Sequence, residues 1–248
     1  MNSRRFLKLA IGTIYYKLYY NFIKPKGCRV LIYHAFGTKL PHDYYGISIN
    51  PKLFEDHIKY IKDSFKLLPI RVKTFNLNID SVAISIDDGY KDTLKGVEIL
   101  EKYNIPYTIY ITTGLLNKKY YLTNRDLINL SLSNLCTLGT HTVNHVHLSK
   151  ISKENQYKEL IKCKYDLEDI IGKSIECFSY PYGDYDISSK SFADSIYSLI
   201  STSNIGINSL GCDVKMIKRI EIIGSDNLFD LKKKILGYYD FLQQKFNN

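Results

Sequence analysis

The chain has 248 residues, of which 45% are apolar and 24% are charged, values that are ordinary for a globular protein. Its formal charge of +9 indicates attraction to an anionic surface such as a membrane or an acidic polymer. Nucleic acid would suit that charge, but no nucleic-acid-binding module pattern occurs, so we do not expect it as a partner. Five cysteines without a C-x-x-C pair argue against a compact zinc or redox site and are typical of a reducing compartment.

The first 25 residues form a basic and aromatic segment that we predict to be a helix, separate from the domain at 26–248. Arg4 and Arg5 precede a mostly apolar run whose uncharged part, 9–16, is too short to cross a bilayer. No small-residue cleavage site of a signal peptide follows it. Basic residues mixed with Tyr, Phe and Leu suit a helix in a membrane interface, and packing on the outside of the domain is an equal alternative. We therefore predict a cytoplasmic protein, either free or peripheral at the inner face of the membrane.

Strand and helix patterns alternate six or seven times along the remaining chain, which is typical of a parallel α/β architecture. No repeat or linker interrupts them, so we expect one domain. The predicted strands are 28–33, 66–70, 82–86, 107–111, 136–139, 177–180, 199–202 and 217–222. The predicted helices begin at Asn50-Pro51, near Leu94, after Thr123, at 153–171 between Ser152 and Gly172, near 188–197 and from Asn227.

Two adjacent carboxylates, Asp87 and Asp88, follow the predicted strand 82–86 and precede Gly89. In α/β barrels the catalytic residues lie at the C-terminal ends of the strands, so this pair is a candidate site. An ordinary Asp-Gly turn without chemistry fits the same residues.

A histidine-rich stretch at 139–147 holds three of the six histidines of the chain. His141 and His145 are four residues apart, so a helical turn would present both imidazoles on one face, within reach of one metal ion. A strand-end carboxylate would complete a set of two histidines and one aspartate, with room for water, as in catalytic zinc sites. A polar loop of hydrated histidines is the alternative.

A third stretch, Phe-Ser-Tyr-Pro-Tyr-Gly at 178–183, ends a predicted strand with a rigid aromatic loop. Together the three stretches resemble the polysaccharide deacetylases, carbohydrate esterase family four, also called the NodB homology domain. The family's motifs are matched at 85–89, 141–145 and 181–183, and the resemblance covers roughly residues 30–219. It implies a distorted (β/α) barrel of about seven strands.

The resemblance also implies roles for the matched residues. Asp87 is then the general base, and Asp88 with His141 and His145 holds a metal. That metal is usually zinc, although cobalt, nickel or manganese suits the same donors. The metal activates a water and polarises an acetamide carbonyl, while Asp87 takes the proton of the water.

The third motif supplies the remaining contacts to the substrate. The backbone N–H of Tyr182, between Pro181 and Gly183, would help hold the oxyanion. The implied substrate is an N-acetylated sugar in a cell-surface polysaccharide or a lipid-linked saccharide, and the products are acetate and an amino sugar. An O-acetyl esterase with the same site and a non-catalytic carbohydrate-binding relative are the alternatives.

The chain departs from the family at two places. No histidine follows His147, where most members carry one that protonates the leaving amine. One circularly permuted subgroup carries this histidine early, in a Tyr-His motif that Tyr33-His34 matches, so the resemblance implies that His34 is the general acid. Many members have an arginine two residues before the proline of the third motif. Ser179 stands there in this chain, and we expect Arg219 to replace that arginine from a neighbouring strand.

Overall fold

A computed structural model describes residues 3–23, 25–39, 43 and 45–242 of the chain. Ten strands are present in this part: β1 Cys28–Tyr33, β2 Ala35–Phe36, β3 Ser48–Ile49, β4 Lys66–Leu67, β5 Ser81–Ile86, β6 Tyr107–Ile111, β7 Cys136–Thr140, β8 Cys177–Ser179, β9 Leu199–Ser201 and β10 Arg219–Glu221. The α-helices are α1 Ser3–Tyr15, α2 Asn21–Ile23, α3 Pro51–Ser64, α4 Thr93–Lys102, α5 Asn124–Ser131, α6 Lys153–Ile171, α7 Ile187–Ile196 and α8 Leu228–Ile235.

Seven parallel strands form a nearly closed barrel in the order β10-β1-β5-β6-β7-β8-β9. The two ends of this sheet approach each other because Ile217, just before β10, bridges Ser201 at the end of β9. β4 adds a short pairing beside β5, and β2 pairs with β3 outside the barrel. The predicted distorted (β/α) barrel of about seven strands is therefore confirmed.

The register of the strands places the polar residues that follow their C-terminal ends side by side. Tyr33 at the end of β1 lies opposite Ile86 at the end of β5, so His34 and Asp87 follow at the same level. All six residues of β1 and all six of β5 are buried, as expected for parallel strands covered on both faces. The strand ends therefore deliver their following residues to one edge of the barrel.

Capping residues at the helix ends explain why the sequence predicts some of the helices well. Asn50 caps α3 by accepting the N–H of Lys52, and α6 runs from a capping Ser152 to the left-handed Gly172. The predicted strand at 66–70 is shorter in the structure and ends at Leu67, since Pro69 has no N–H to donate to a sheet. The predicted strand at 217–222 is reduced to β10.

The N-terminal helical segment, α1 followed by a π-helical turn at Tyr16–Tyr20 and by α2, lies on the outside of the barrel domain. Gly12 allows a close approach, because a Cβ there would lie 2.1 Å from the backbone oxygen of Tyr238. Tyr16 stacks on Tyr238, and the Tyr20 hydroxyl accepts a hydrogen bond from Arg29. Among the described residues, no helix has both the length and the apolar character needed to cross a bilayer.

Candidate active site

A cleft of about 1270 Å³ opens at the C-terminal edge of the barrel strands. Most of the residues that the sequence singles out line it together: His34, Asp87, Asp88, His141, His145 and Tyr182. They follow β1, β5, β7 and β8, four strands of the one sheet. Residues up to about 150 positions apart in sequence therefore meet at the strand ends, as catalytic residues do in α/β barrels.

Asp88, His141 and His145 converge on a single point. The Asp88 Oδ1 atom lies 3.0 Å from His145 Nε2 and 3.4 Å from His141 Nε2. Two ligand atoms each ~2.1 Å from one tetrahedral ion lie ~3.4 Å apart, so the spacing fits a metal ion. Asp88 Oδ1 is also buried and accepts no well-aligned hydrogen bond from any described residue, which a bound cation would remedy.

The orientation of His141 is fixed by a backbone contact. Its Nδ1 lies 2.7 Å from the carbonyl oxygen of Ser179, so Nδ1 carries the proton and donates it. The Nε2 lone pair is then free to face Asp88. Such a contact from the second ring nitrogen is the usual way in which proteins orient a metal-binding histidine.

The stretch between the two histidines is a loop, so the helical turn expected from their spacing is wrong. Thr142 and His145 have left-handed backbone angles, with φ of 62° and 54°. Such angles break an α-helix, in which every residue has a negative φ. The imidazoles are brought together by this tight loop, with their ring centroids 4.9 Å apart.

Helix α6 holds the loop in this shape. The Glu159 carboxylate accepts the N–H groups of Val143 and Asn144, both at 2.9 Å, and the Asn144 side-chain amide at 2.6 Å. The Cys163 thiol donates to the carbonyl of Thr142. Sequence reasoning missed Glu159, because an acid on a helix after Ser152 carries no motif and is more often solvated.

Asp87 forms a bidentate ion pair with Arg219. The Nη1 and Nη2 atoms of Arg219 lie 2.8 Å from Oδ1 and Oδ2, respectively, and both side chains are buried. The remaining donors of Arg219 reach Ser85 Oγ, Ser179 Oγ and the Thr202 carbonyl. Arg219 is the first residue of β10. In the sheet, β10 lies two strands away from β5, which precedes Asp87, and it is not adjacent to β8, which ends at Ser179.

These contacts decide the charge of the two carboxylates. Burial raises the pKa of Asp87, but the Arg219 guanidinium lowers it by a larger amount, so the net pKa lies below its ordinary value. Burial likewise raises the pKa of Asp88, while His141 and His145 bring it well below the usual range. Burial lowers the pKa of His145 and the Asp88 contact raises it, with a net increase. Both carboxylates are therefore ionised at neutral pH.

His34 is half-buried at the cleft, directly after β1, and its Nδ1 has no hydrogen-bond partner among the described residues. The segment that follows it is held by Asp92, whose Oδ2 accepts the N–H groups of Phe36 and Thr38 at 2.8 and 2.9 Å. Asp92 was not found from the sequence, since its role depends on a contact between β2 and the start of α4.

The Pro-Tyr-Gly loop covers the other side of the two histidines. Pro181 is buried, and Tyr182 has a left-handed backbone with φ of 59° and a side chain 55% exposed. The Tyr182 ring stacks on His147 at 4.0 Å and meets His145 edge-on at 4.6 Å. Gly183 also has a positive φ, and a Cβ there would lie 2.8 Å from the Ser203 side chain.

Comparison with models of known protein families finds one family that this chain is similar to. The model of the polysaccharide deacetylase family matches residues 76–196. This range holds the two aspartates, the two histidines and the Pro-Tyr-Gly loop, whereas His34 and Arg219 lie outside it. The implied circular permutation stays a prediction.

Individual relatives agree with this match. YxkH of Bacillus subtilis, named as a candidate polysaccharide deacetylase, is 24% identical over 170 residues, which are 65% of this chain and 59% of YxkH. A candidate polysaccharide deacetylase from Bacillus anthracis has a TM-score of 0.76 at 23% identity, covering 85% of this chain and 69% of its own. The Streptococcus pyogenes deacetylase PplD, solved with acetate, has a TM-score of 0.75 at 24% identity, covering 85% and 99%. These solved structures share the barrel fold with this chain.

Proposed function

We propose that this chain, which belongs to the polysaccharide deacetylase family, removes the acetyl group from an N-acetylated sugar by hydrolysis. The observation that carries the proposal is the convergence of Asp88, His141 and His145 beside Asp87 in one cleft. The family's enzymes are hydrolases that act on carbon–nitrogen bonds. The products would be acetate and a sugar with a free amine.

Asp88, His141 and His145 would hold a divalent metal ion. Zinc is the first candidate because imidazole and carboxylate are its usual ligands, and cobalt, nickel or manganese suits the same set. When bound, such an ion polarises a carbonyl oxygen and lowers the pKa of a water molecule. The Ser179 carbonyl keeps His141 in the tautomer that this role requires.

The proton transfers fall to Asp87 and His34. Asp87 is ionised and held in one orientation by Arg219, and its carboxylate has about four acceptor positions, so a water can bind beside the two Arg219 contacts. It takes the proton of the attacking water while the water oxygen bonds to the acetyl carbon. The carbon–nitrogen bond then breaks, and His34 gives a proton to the leaving amine.

The Tyr182 loop would contact the acetyl group, and the size of the cleft supports a substrate of more than one sugar unit. The backbone N–H of Tyr182 would help hold the oxyanion that forms on the acetyl oxygen. A cleft of about 1270 Å³ exceeds the roughly 300–1,000 Å³ that is typical for one small ligand, so it suits more than one sugar unit. PplD was solved with acetate, the product that this reaction would release.

The first test is the metal content of the purified full chain, compared with His145→Ala. We expect about one ion per chain in the wild type and none in the variant, because His145 is one of the three candidate ligands among the described residues. His147→Ala is the matched control, since it removes an imidazole from the same cleft but outside the triad. A wild-type chain that holds no metal after addition of zinc would rule out this mechanism.

The second test is acetate release from oligomers of N-acetylglucosamine and from the same oligomers carrying O-acetyl groups. Release from the amide supports the N-deacetylase, whereas release from the ester alone would favour an O-acetyl esterase. A chain that binds the oligomers without releasing acetate would be a carbohydrate-binding relative. The cytoplasmic location stays a prediction.

A further inference from the structure

The N-terminal helix leaves one apolar face without a partner in the described part of the chain. We call this face the apolar stripe: Leu7, Ile11, Ile14 and Leu18, which are 59%, 42%, 59% and 69% exposed. Leu7, Ile11 and Ile14 are four and three residues apart and therefore lie on one side of α1, and Leu18 follows four residues later in the π-helical turn. Phe22, 82% exposed, continues the stripe beyond the π-helical turn. Contiguous exposed apolar surface of this kind marks an interaction site.

The stripe is distinct from the face that packs on the domain. Gly12 and Tyr16 on that inner face contact Tyr238, and Tyr15 lies against Phe241. The helix is therefore held in place by its inner face, and its outer face remains available. An orientation fixed in this way presents the stripe as a preformed surface.

The charge around the stripe indicates an anionic partner. The first 26 residues carry six basic residues and no Asp or Glu: Arg4, Arg5, Lys8, Lys17, Lys24 and Lys26. Lys8 and Lys17 are exposed on the helix, whereas the side chains of Arg4 and Arg5 lie outside the described residues. Exposed Tyr19 adds an aromatic ring of the type enriched at the boundary between lipid and water.

We propose that the apolar stripe docks this protein on an anionic lipid bilayer, with the helix lying in the plane of the surface. Leu, Ile and Phe side chains enter the boundary between headgroups and acyl chains, and exposed Lys17 pairs with lipid phosphates. A second copy of the chain suits the stripe less well. Symmetric pairing would bring the same basic helix against itself, and like charges across an interface disfavour association.

The docked helix would hold the catalytic cleft beside the bilayer. Lys8 of α1 lines the same cleft as His34 and Asp87, together with Leu242 near the C-terminus. An acetylated saccharide attached to a lipid in that bilayer would thus reach the site without leaving the membrane surface. This choice of substrate class rests on the proposed function, whereas the docking itself does not.

The test is co-sedimentation of the full chain with vesicles of phosphatidylglycerol and phosphatidylcholine, and with vesicles of phosphatidylcholine alone. We expect binding to the anionic vesicles and at least about tenfold weaker partitioning for Ile11→Gln/Ile14→Gln/Leu18→Gln, because one fully buried Ile or Leu alone is worth about a factor of ten. The matched control is Leu132→Gln/Leu210→Gln, which removes apolar side chains that are 72% and 58% exposed elsewhere on the surface. This control variant should bind like the wild type.

The outcomes of these experiments distinguish a lipid bilayer from a second copy of the chain as the partner of the apolar stripe. The proposal is overturned if the wild-type chain does not bind anionic vesicles, or if the triple variant binds them as strongly as the wild type. It is also overturned by a wild-type dimer that the triple variant loses without any lipid binding, which would assign the stripe to a second copy. Acetate release from a soluble oligomer should be equal in the wild type and the triple variant. Vesicle binding by a chain that releases no acetate would keep the docking surface and reject only the deacetylase.

Discussion

Replacement of Arg219 by methionine tests the inferred basis of the Asp87 charge. The substitution keeps an apolar side chain of similar length but leaves the Asp87 carboxylate buried, without its two N–H donors at 2.8 Å. Removing one partner of a buried ion pair costs about 3–5 kcal/mol of unfolding free energy. For a chain of this size that cost corresponds to a fall in Tm of roughly 6–20 °C.

The effect should depend on pH in a defined direction. In the wild type the pKa of Asp87 is lowered, so the stability from the pair is present above the unfolded pKa of ~3.9 and is lost as the pH falls through the folded pKa. In Arg219→Met the burial remains without the guanidinium, so the pKa of Asp87 rises and the carboxyl takes up a proton on the acid side of neutrality. The difference in unfolding free energy should therefore shrink from pH 7 to pH 4. The acidic limb of the pH–rate profile should move to higher pH.

Urea unfolding at pH 7 and pH 4, followed by circular dichroism, measures the difference in unfolding free energy. Acetate release over a range of pH measures the shift of the pH–rate profile. Arg29→Met is the matched control, because Arg29 forms an equally buried two-pronged pair with Asp240 beneath the N-terminal helix. It should lose similar stability without moving the pH–rate profile. The double variant Asp87→Asn/Arg219→Met should be more stable than Arg219→Met. A cost below about 1 kcal/mol for Arg219→Met, or a profile identical to that of Arg29→Met, would refute the reasoning.

Two further predictions concern residues that do not line the cleft. Glu159→Gln weakens the contacts to the N–H groups of Val143 and Asn144, so we expect about 10–100-fold lower metal affinity, measured in competition with a chelator. An unchanged affinity would contradict the role of Glu159 in holding the histidine loop. Asp186 caps α7 through Ser189, so Asp186→Ala should lose about 0.5–2 kcal/mol at pH 7 in urea unfolding. Burial raises the pKa of Asp186, but the Ser189 contacts lower it to about 2, so this loss should shrink as the pH falls from the unfolded pKa of ~3.9 through about 2. A loss that stays constant over that pH range would argue against a charged cap.

The elements that the sequence predicts best are those specified by neighbouring residues. Helix α6 begins after Ser152 and ends before Gly172, because a side-chain cap and a left-handed glycine act within one turn of the chain. The strand predicted at 217–222 depends on distant partners instead. Ile217 bridges β9 while Arg219 begins the pairing with β1, so the apolar run is divided between two neighbours and only three residues form β10.

In the candidate site, too, features that depend on neighbouring residues are visible in the sequence, whereas features that depend on distant contacts are not. The residue types Asp87, Asp88, His141 and His145 are visible in the sequence because adjacent acids and closely spaced imidazoles imply metal chemistry. The shape of the loop between the histidines is not visible, since it is imposed by Glu159 from a separate helix. A spacing of four residues fits a helical turn and a tight loop equally well, and only tertiary contacts distinguish them.

Backbone strain is concentrated where the metal would bind. Six non-glycine residues in the described part of the chain have a positive φ, and two of them, both asparagines, lie outside the cleft lining. The other four are Asp88, Thr142, His145 and Tyr182, all in loops at the cleft. Each such conformation costs of order 1–3 kcal/mol and persists only where surrounding contacts impose it. Two of the three candidate ligands, Asp88 and His145, are therefore fixed by the backbone of their loops as well as by the contact between their side chains.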